Sequence, residues 1–579
     1  YLKSEIERKF KANLLDYIRK LGVIQKSIYG VDIQTIAVEI ARLRCFLSQI
    51  IEEDVLDNEE NRGINPLPSL DFKFVIANTL IELDDSKQGS IFKDDTHMSE
   101  LKKIREDYFN EDNNKRSELR EKFESIQKKM LNKVVSDGQA GTKRYQQLLE
   151  WRPFTNTRSD WFDPEWMFGI EKFDIVIANP PYVHLEKMKE SDIIPIIKSK
   201  KKPLYKTYTG RGDLYCLFYE RGLNLLKKDG HLTYITSNKW MRSSYGAAVR
   251  EYFLKYTNPI SLIDLGPSIF NSAVVDTNII TLQKAKNARK TMVHSYKDDI
   301  KEGFELSNIK QNLVATNFRE NETWIILQPI ERSIKEKIDE NGIPLEDWNI
   351  KINYGIKTGL NAAFVINQNK RDELIAKDPK SEDIIRPVLR GRDIKKDQYN
   401  WSGLYVIALV PAKNYNIDDY PAIKQYLLDF GYDKLKQTGE AGARANTCYK
   451  WFETQSAIAY WEDFNKPKII YPETTTGAYF VIDKENYLID KTCFMITGDN
   501  LEYLTSTLSS KLFEYAYKNI YASVVLGEKA YQYNRHAFSK LPIKLTQENK
   551  KLNDDEIFDL YGLNSKEREF VLMALKNNI

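Results

Sequence analysis

The sequence predicts an α/β protein with a parallel sheet, followed by an α+β region of short strands. Three observations carry this. Over residues 1–300, short apolar runs alternate with amphipathic helical stretches, and such alternation means crossover connections and a parallel sheet. Three of the runs end in a polar residue, Asp32, Asn78 and Asn179. Ligands in such sheets bind beyond the carboxyl ends of the strands, so one crevice could hold all three. From about residue 320 the pattern changes to short strands with many turns.

The elements follow in order. Leu14, Ile18, Leu21 and Ile24 recur at helical spacing and predict a first helix. Ser27 to Ile33 reads as a short strand ending in an acid, and Thr35 to Arg44 as an amphipathic helix. Phe72 to Leu80 is a second apolar strand. Residues 86–165 interrupt the pattern with dense charge of mixed sign, as in Glu100-Leu101-Lys102-Lys103. At helical spacing this predicts solvated faces, hence a helical insertion between strands. The run Phe173 to Ala178 reads as a buried strand of the parallel sheet. Asp213 opens a helix running to Leu226, and Gly230 to Thr236 is a strand. A helix through Phe253, a strand from Ser261 to Leu265 and a loop entering a strand around Ile279 complete this part.

The turn after the third strand, Asn179-Pro180-Pro181-Tyr182, is the most informative segment. Each proline fixes its own φ and restricts the residue before it, so the turn is rigid. An exocyclic amine needs acceptors for its two hydrogens before its lone pair can face an electrophile. The Asn179 side-chain oxygen and the Pro180 carbonyl offer two, and Tyr182 can stack on a base. The plainer reading is an ordinary turn, which Asn-Pro also favours. Asp32 has two readings as well: a ribose acceptor with Ile33 on the adenine face, or a helix N-cap.

Composition bounds the rest. The chain has 579 residues, with 42% hydrophobic and 12% aromatic content, enough for several packed domains. No run approaches the roughly 18 apolar residues of a membrane span, and no charged-then-apolar leader is present. The expected location is cytoplasmic, with no membrane partner. Cys45, Cys216, Cys448 and Cys493 are scattered too widely for zinc or a disulfide framework, and no metal is expected. A net charge of +3 does not itself mark a nucleic-acid binder, so a DNA cleft must come from local clustering. One cluster follows the Asn-Pro-Pro-Tyr turn: Lys198, Lys200, Lys201, Lys202 and Lys206, interleaved with Tyr205 and Tyr208. Such a loop suits phosphate contact and base stacking, or else is simply solvated. In the C-terminal part Lys357, Arg390, Arg392, Lys395 and Arg535 stand in basic or polar segments that suit phosphates and base edges. Lys466 to Pro472 reads as a basic strand, and Trp451 to Gln455 as core.

These segments, in this order, resemble the methyltransferase half of type IIG restriction–modification enzymes and the TaqI-type DNA adenine methyltransferases. The resemblance is carried by Tyr29-Gly30-Val31-Asp32-Ile33, the Asn-Pro-Pro-Tyr turn, the Asp213-Leu214-Tyr215 helix start and the Phe270 loop. It implies a Rossmann-like sheet that uses S-adenosylmethionine, over residues 1–85 and 166–300, with the insertion at 86–165. A target-recognition domain would occupy 320–579. Asp32, Ile33, Asn78, Asp213 and Tyr215 would bind the cofactor. Asn179, Pro180, Pro181 and Tyr182 would form the catalytic turn, and Tyr182 and Phe270 would sandwich a flipped adenine. The partner would be double-stranded DNA, with an endonuclease domain or subunit upstream.

One departure stands out. The family's glycine-rich cofactor loop should precede the first helix, yet no Gly-x-Gly occurs upstream of Asp32. Together with the start at Tyr1, this predicts a fragment whose missing N-terminal part carries that loop. Two alternatives therefore stand beside the adenine methyltransferase. One is a catalytically incomplete DNA-binding specificity module of a restriction or phage-defence complex. The other is a protein or RNA methyltransferase with a similar turn, which the large C-terminal part disfavours.

Overall fold

A computed structural model describes residues 17–51, 58, 62, 68–84, 96–111, 113–136, 142–188, 193–198, 203–266, 276–296, 313–320, 322–526 and 530–576. The chain divides into two units. Residues 1–241 and 245–324 form the first, and residues 242–244 and 325–579 the second. Among the described residues, no helix is long and apolar enough to cross a membrane.

Among its described residues the first unit has eight strands: β1 Gly30–Asp32, β2 Phe74–Ile76, β3 Phe173–Ala178, β4 Leu226–Ser237, β5 Asn258–Gly266, β6 Thr277–Gln283, β7 Thr291–Ser295 and β8 Val314–Thr316. β1 and β2 pair in parallel, with Asp32 opposite Ile76. The other six form one sheet in the order β3-β4-β6-β5-β7-β8. β3 and β4 are parallel, with Ala178 opposite Tyr234. The expected parallel sheet is thus mixed: β6 lies antiparallel between β4 and β5. The reason is the connection. β5 ends at Gly266 and β6 begins at Thr277, a link too short for the crossover that a parallel return needs.

A second difference concerns β3, whose sequence predicts burial on both faces. Ile175 and Ile177 are instead 61% and 76% exposed. Among the described residues β3 pairs only with β4, and β1 only with β2. Ile175 and Ile177 are two residues apart and share one face of β3, and that face is uncovered.

The charged insertion is helical, as its pattern predicts. Helices Thr96–Asn110 and Asn113–Ser136 turn charged faces outward, but their apolar faces are buried. Leu101, Ile104, Phe123 and Met130 pack in one core with Phe72, Trp161 and Trp166. The segment after them returns to the sheet edge, where Ser159 bridges Ala77 in parallel. The Asn78 amide donates to the Ser159 carbonyl at 2.9 Å.

The second unit has two four-stranded sheets. One runs Ile350–Tyr354, Cys493–Gly498, Lys468–Pro472, Val481–Asp483, all antiparallel neighbours. The other joins Val365–Asn367, Leu404–Ile407, Ile385–Leu389 and Leu488–Ile489. An aromatic core that includes Tyr471, Phe480, Tyr517, Tyr533 and Phe538 packs against the first. Phe452 and Glu453 are buried, as expected of core.

The strand read as basic proves to be interior. Lys468 is fully buried and pairs with the equally buried Asp483. Its ammonium also donates to the Phe464 carbonyl at 2.9 Å. Asp483 accepts in addition from the amides of Glu485 and Tyr487, at 2.9 and 3.0 Å. A buried pair resists removal of either partner, because the survivor keeps its charge without an answer. Replacing Asp483 with Ala should therefore destabilise the chain by about 3–5 kcal/mol. Urea denaturation read by circular dichroism checks this, and the double change Lys468→Met with Asp483→Leu should cost far less.

Candidate functional site

Asn179 stands directly beyond the carboxyl end of β3, on the exposed side, while Pro180 behind it is buried. Tyr182 comes back over the turn. Its hydroxyl donates to the Asn179 side-chain oxygen at 3.1 Å and lies 3.3 Å from the Ile235 carbonyl on β4. Burial pushes the Tyr182 phenol up to about 12, so it is a donor at neutral pH. A carbonyl oxygen has two lone pairs, which leaves Asn179 able to accept a second hydrogen.

The segment after the turn is pinned by a short antiparallel bridge between His184 and Asp213. The Leu185 amide donates to the Gly212 carbonyl, and the Leu214 amide to the Val183 carbonyl, both at 2.9 Å. Asp213 is 4% exposed, yet both its oxygens have partners. His184 Nδ1 lies 3.1 Å from Oδ1, and the Tyr245 hydroxyl donates to Oδ2 at 2.9 Å. The Tyr245 and Tyr215 hydroxyls are 3.1 Å apart. Burial above all raises both phenols, so both are protonated. Tyr245 has spent its one hydrogen on Asp213, and so it accepts from Tyr215. The Tyr215 ring in turn meets the Tyr182 ring edge-on at 6.0 Å. Beneath them, the Asn278 amide nitrogen donates to the carbonyls of Thr236 and Ser237 at 3.1 and 3.0 Å, bracing the end of β4.

Asp32 and Asn78 stand at the carboxyl ends of neighbouring parallel strands. Asp32 Oδ1 accepts from the Gln34 amide at 2.8 Å. The helix N-cap is Gln34 itself, so Asp32 stands just outside the helix. Its carboxylate and the Ile33 side chain, 45% exposed, are open to a ligand. Asn78 is half-buried, and its side-chain oxygen accepts from the Leu80 amide at 3.2 Å. Leu80 joins the two halves of the site. It is buried in one cluster with Leu185, Leu214 and Leu217, from the segments that hold Tyr182 and Asp213. Arg221 reinforces this, donating to the Thr79 carbonyl at 2.7 Å and pairing with Glu82.

The expected DNA contacts fare unevenly. Lys206 is exposed, with Nζ 3.0 Å from the Tyr256 hydroxyl. Lys357, Arg392, Lys395 and Arg535 are exposed. Arg390 is half-buried, and its guanidinium is held by Asp393 at 3.3 Å and by Ser402 at 2.8 Å. Lys200, Lys201, Lys202 and Phe270 lie outside the described residues. Two residues of the site were not predicted. Tyr245 lies in a Ser-Ser-Tyr-Gly stretch with no motif. His184 could have been found as the titratable group two positions beyond Tyr182.

Residues 26–270 match the Eco57I restriction-modification methylase family, and residues 386–543 match the TaqI-like C-terminal specificity domain. The chain is 26% identical over 494 residues to the type II methyltransferase M.BstVI of Geobacillus stearothermophilus, covering 76% of this chain and 84% of that protein. It is 26% identical over 439 residues to the type II methyltransferase M.XhoI of Xanthomonas vasicola, covering 69% of this chain and 76% of that one. Among solved structures it aligns with the type IIL restriction-modification enzyme MmeI in complex with DNA, at 12% identity and a TM-score of 0.49, over 99% of this chain and 76% of that one. A restriction-modification methylase region followed by a TaqI-like specificity domain, together with the type II methyltransferases it resembles, supports a DNA methyltransferase.

Proposed function

We propose that the chain methylates the exocyclic amine of adenine at a specific site in duplex DNA, with S-adenosylmethionine as donor. The observation that carries this is the Asn179 turn. An amide oxygen with a free lone pair stands at a parallel strand end, held by a neutral phenol 3.1 Å away. The phenol takes one lone pair of that oxygen and leaves the other for an amine hydrogen.

The cofactor assignment rests on Asp32, Ile33 and Asn78. An exposed carboxylate with one oxygen tied to a backbone amide keeps its other oxygen for ribose hydroxyls, and exposed Ile33 beside it suits an adenine face. This fits the nucleoside end of S-adenosylmethionine. No Gly-x-Gly precedes Asp32 in the sequence, so the residues assigned here cover that end alone. When bound, the cofactor supplies an electrophilic methyl group. Asp213 and Tyr215 are buried and bonded to neighbours, so their contribution is to hold the pocket wall.

The chain's own residues do the rest by orientation. Asn179 and the Pro180 carbonyl hold the amine hydrogens, which aims the nitrogen lone pair along one line. Tyr182 provides a ring for the base, which must leave the helix because its amine is otherwise out of reach. The exposed cations Arg392, Lys395 and Arg535 of the specificity unit are proposed to face DNA. A restriction endonuclease of matching specificity is the partner activity this reading implies, as a separate domain or subunit.

Transfer of labelled methyl from S-adenosylmethionine to mixed-sequence duplex DNA tests the reading. Replacing Asn179 with Ala should lower kcat about 10²–10³-fold, the cost of removing one polar group aimed at developing charge, with circular dichroism unchanged. Asp32→Ala should instead weaken S-adenosylmethionine binding by about 10–100-fold, the equivalent of a hydrogen bond to a charged group, with kcat nearly constant at saturation. Full activity in Asn179→Ala contradicts the assignment. Duplex binding without any transfer by the wild type would favour a specificity module.

A further inference from the structure

We propose that His184 is the base that takes the proton released from the methylated amine, and that Asp213 sets its tautomer. This rests on the methyl-transfer reading above. His184 lies two residues beyond Tyr182, and its side chain is 46% exposed. Its Nδ1 faces Oδ1 of Asp213 at 3.1 Å. That carboxylate is 4% exposed, and a buried carboxylate requires donors. Oδ2 already accepts from Tyr245, so Nδ1 carries the hydrogen that answers Oδ1. In a neutral imidazole this leaves the lone pair on Nε2.

The neighbouring groups do not compete for this role. On the same segment, Lys187 is a cation and Glu186 pairs with Arg211 at 3.8 Å. On the facing segment, Asp213 is occupied by its two donors. The phenols of Tyr182, Tyr215 and Tyr245 are protonated and already donate, Tyr182 to Asn179. His184 thus carries the imidazole of the segment that follows the Asn179 turn.

The step balances. The N–CH₃ bond forms as the sulfonium S–CH₃ bond breaks, and the amine nitrogen becomes positively charged. Its N–H bond then breaks, the electron pair returns to nitrogen, and the proton goes to Nε2. The resulting imidazolium faces the Asp213 carboxylate across the same 3.1 Å contact. Solvent removes the proton from the ring, restoring the neutral base.

Two measurements test this. Nitrogen-15 NMR of the histidine-labelled chain reads the tautomer without any need for activity. The signal lost in His184→Gln should show hydrogen on Nδ1, and hydrogen on Nε2 would overturn the proposal. The second is the pH dependence of kcat for methyl transfer. The wild type should show a low-pH limb, while His184→Ala should lack it and fall about 10²-fold, the lower range for loss of a general base. Added imidazole should restore part of the rate. His184→Gln, which keeps an N–H for Asp213, should fold normally and fail equally. His97→Gln, in the helical insertion, should behave as wild type. An unchanged profile in His184→Ala overturns the proposal. No transfer by the wild type, with the Nδ1–H tautomer present, overturns the methyl-transfer reading and the base with it.

Discussion

The buried carboxylate of Asp213 constrains the site more than any other group. A charge taken out of water must be met by donors in fixed places. Here the donors come from different stretches of chain: His184 from the segment after the Asn-Pro-Pro-Tyr turn, and Tyr245 from the segment beyond β4. One charge therefore dictates where these stretches lie. Tyr215, next but one to Asp213, is pinned through the same Tyr245 hydroxyl, and its ring sets the position of Tyr182. Asn179 receives its donor only because Tyr182 is held there. The orientation of the amide oxygen thus traces back to a carboxylate it never touches.

The specificity unit applies the same rule. Lys468 and Asp483 form a fully buried pair whose lone pairs are completed by backbone amides and by Tyr399. Such a pair contributes little net stability against apolar residues of equal size, but it strongly penalises any arrangement that separates the partners. The exposed Arg392 lies in a short 3-10 turn, Lys395 in a hairpin and Arg535 at the start of a short helix, while buried or half-buried cations such as Lys468 and Arg390 are spent on structure.

Much of this was legible in the sequence, for identifiable reasons. Apolar runs ending in Asp32, Asn78 and Asn179 mark strand ends directly, because strand periodicity and turn chemistry are local. Helix Thr35–Ile50 and the helical insertion follow from spacing in the same way. What escaped depends on partners distant in sequence. The antiparallel β6 is set by a short connection and by strand order, and neither appears in a hydrophobic pattern. Lys468 looks like a surface cation until Asp483 is brought against it. Tyr245 has no motif, and its role exists only once Asp213 and Tyr215 converge on it. The exposure of Ile175 and Ile177 was likewise invisible, since an apolar run does not report which face of its strand another layer will cover.

The most direct test of the central claim is the identity of the methylated nucleoside. DNA from cells expressing the chain, digested to nucleosides and resolved by mass spectrometry, should contain N6-methyladenine at a defined sequence, absent from cells expressing the Asn179→Ala chain. Methylated cytosine in its place, or N6-methyladenine that persists without Asn179, would contradict an Asn179-centred adenine site.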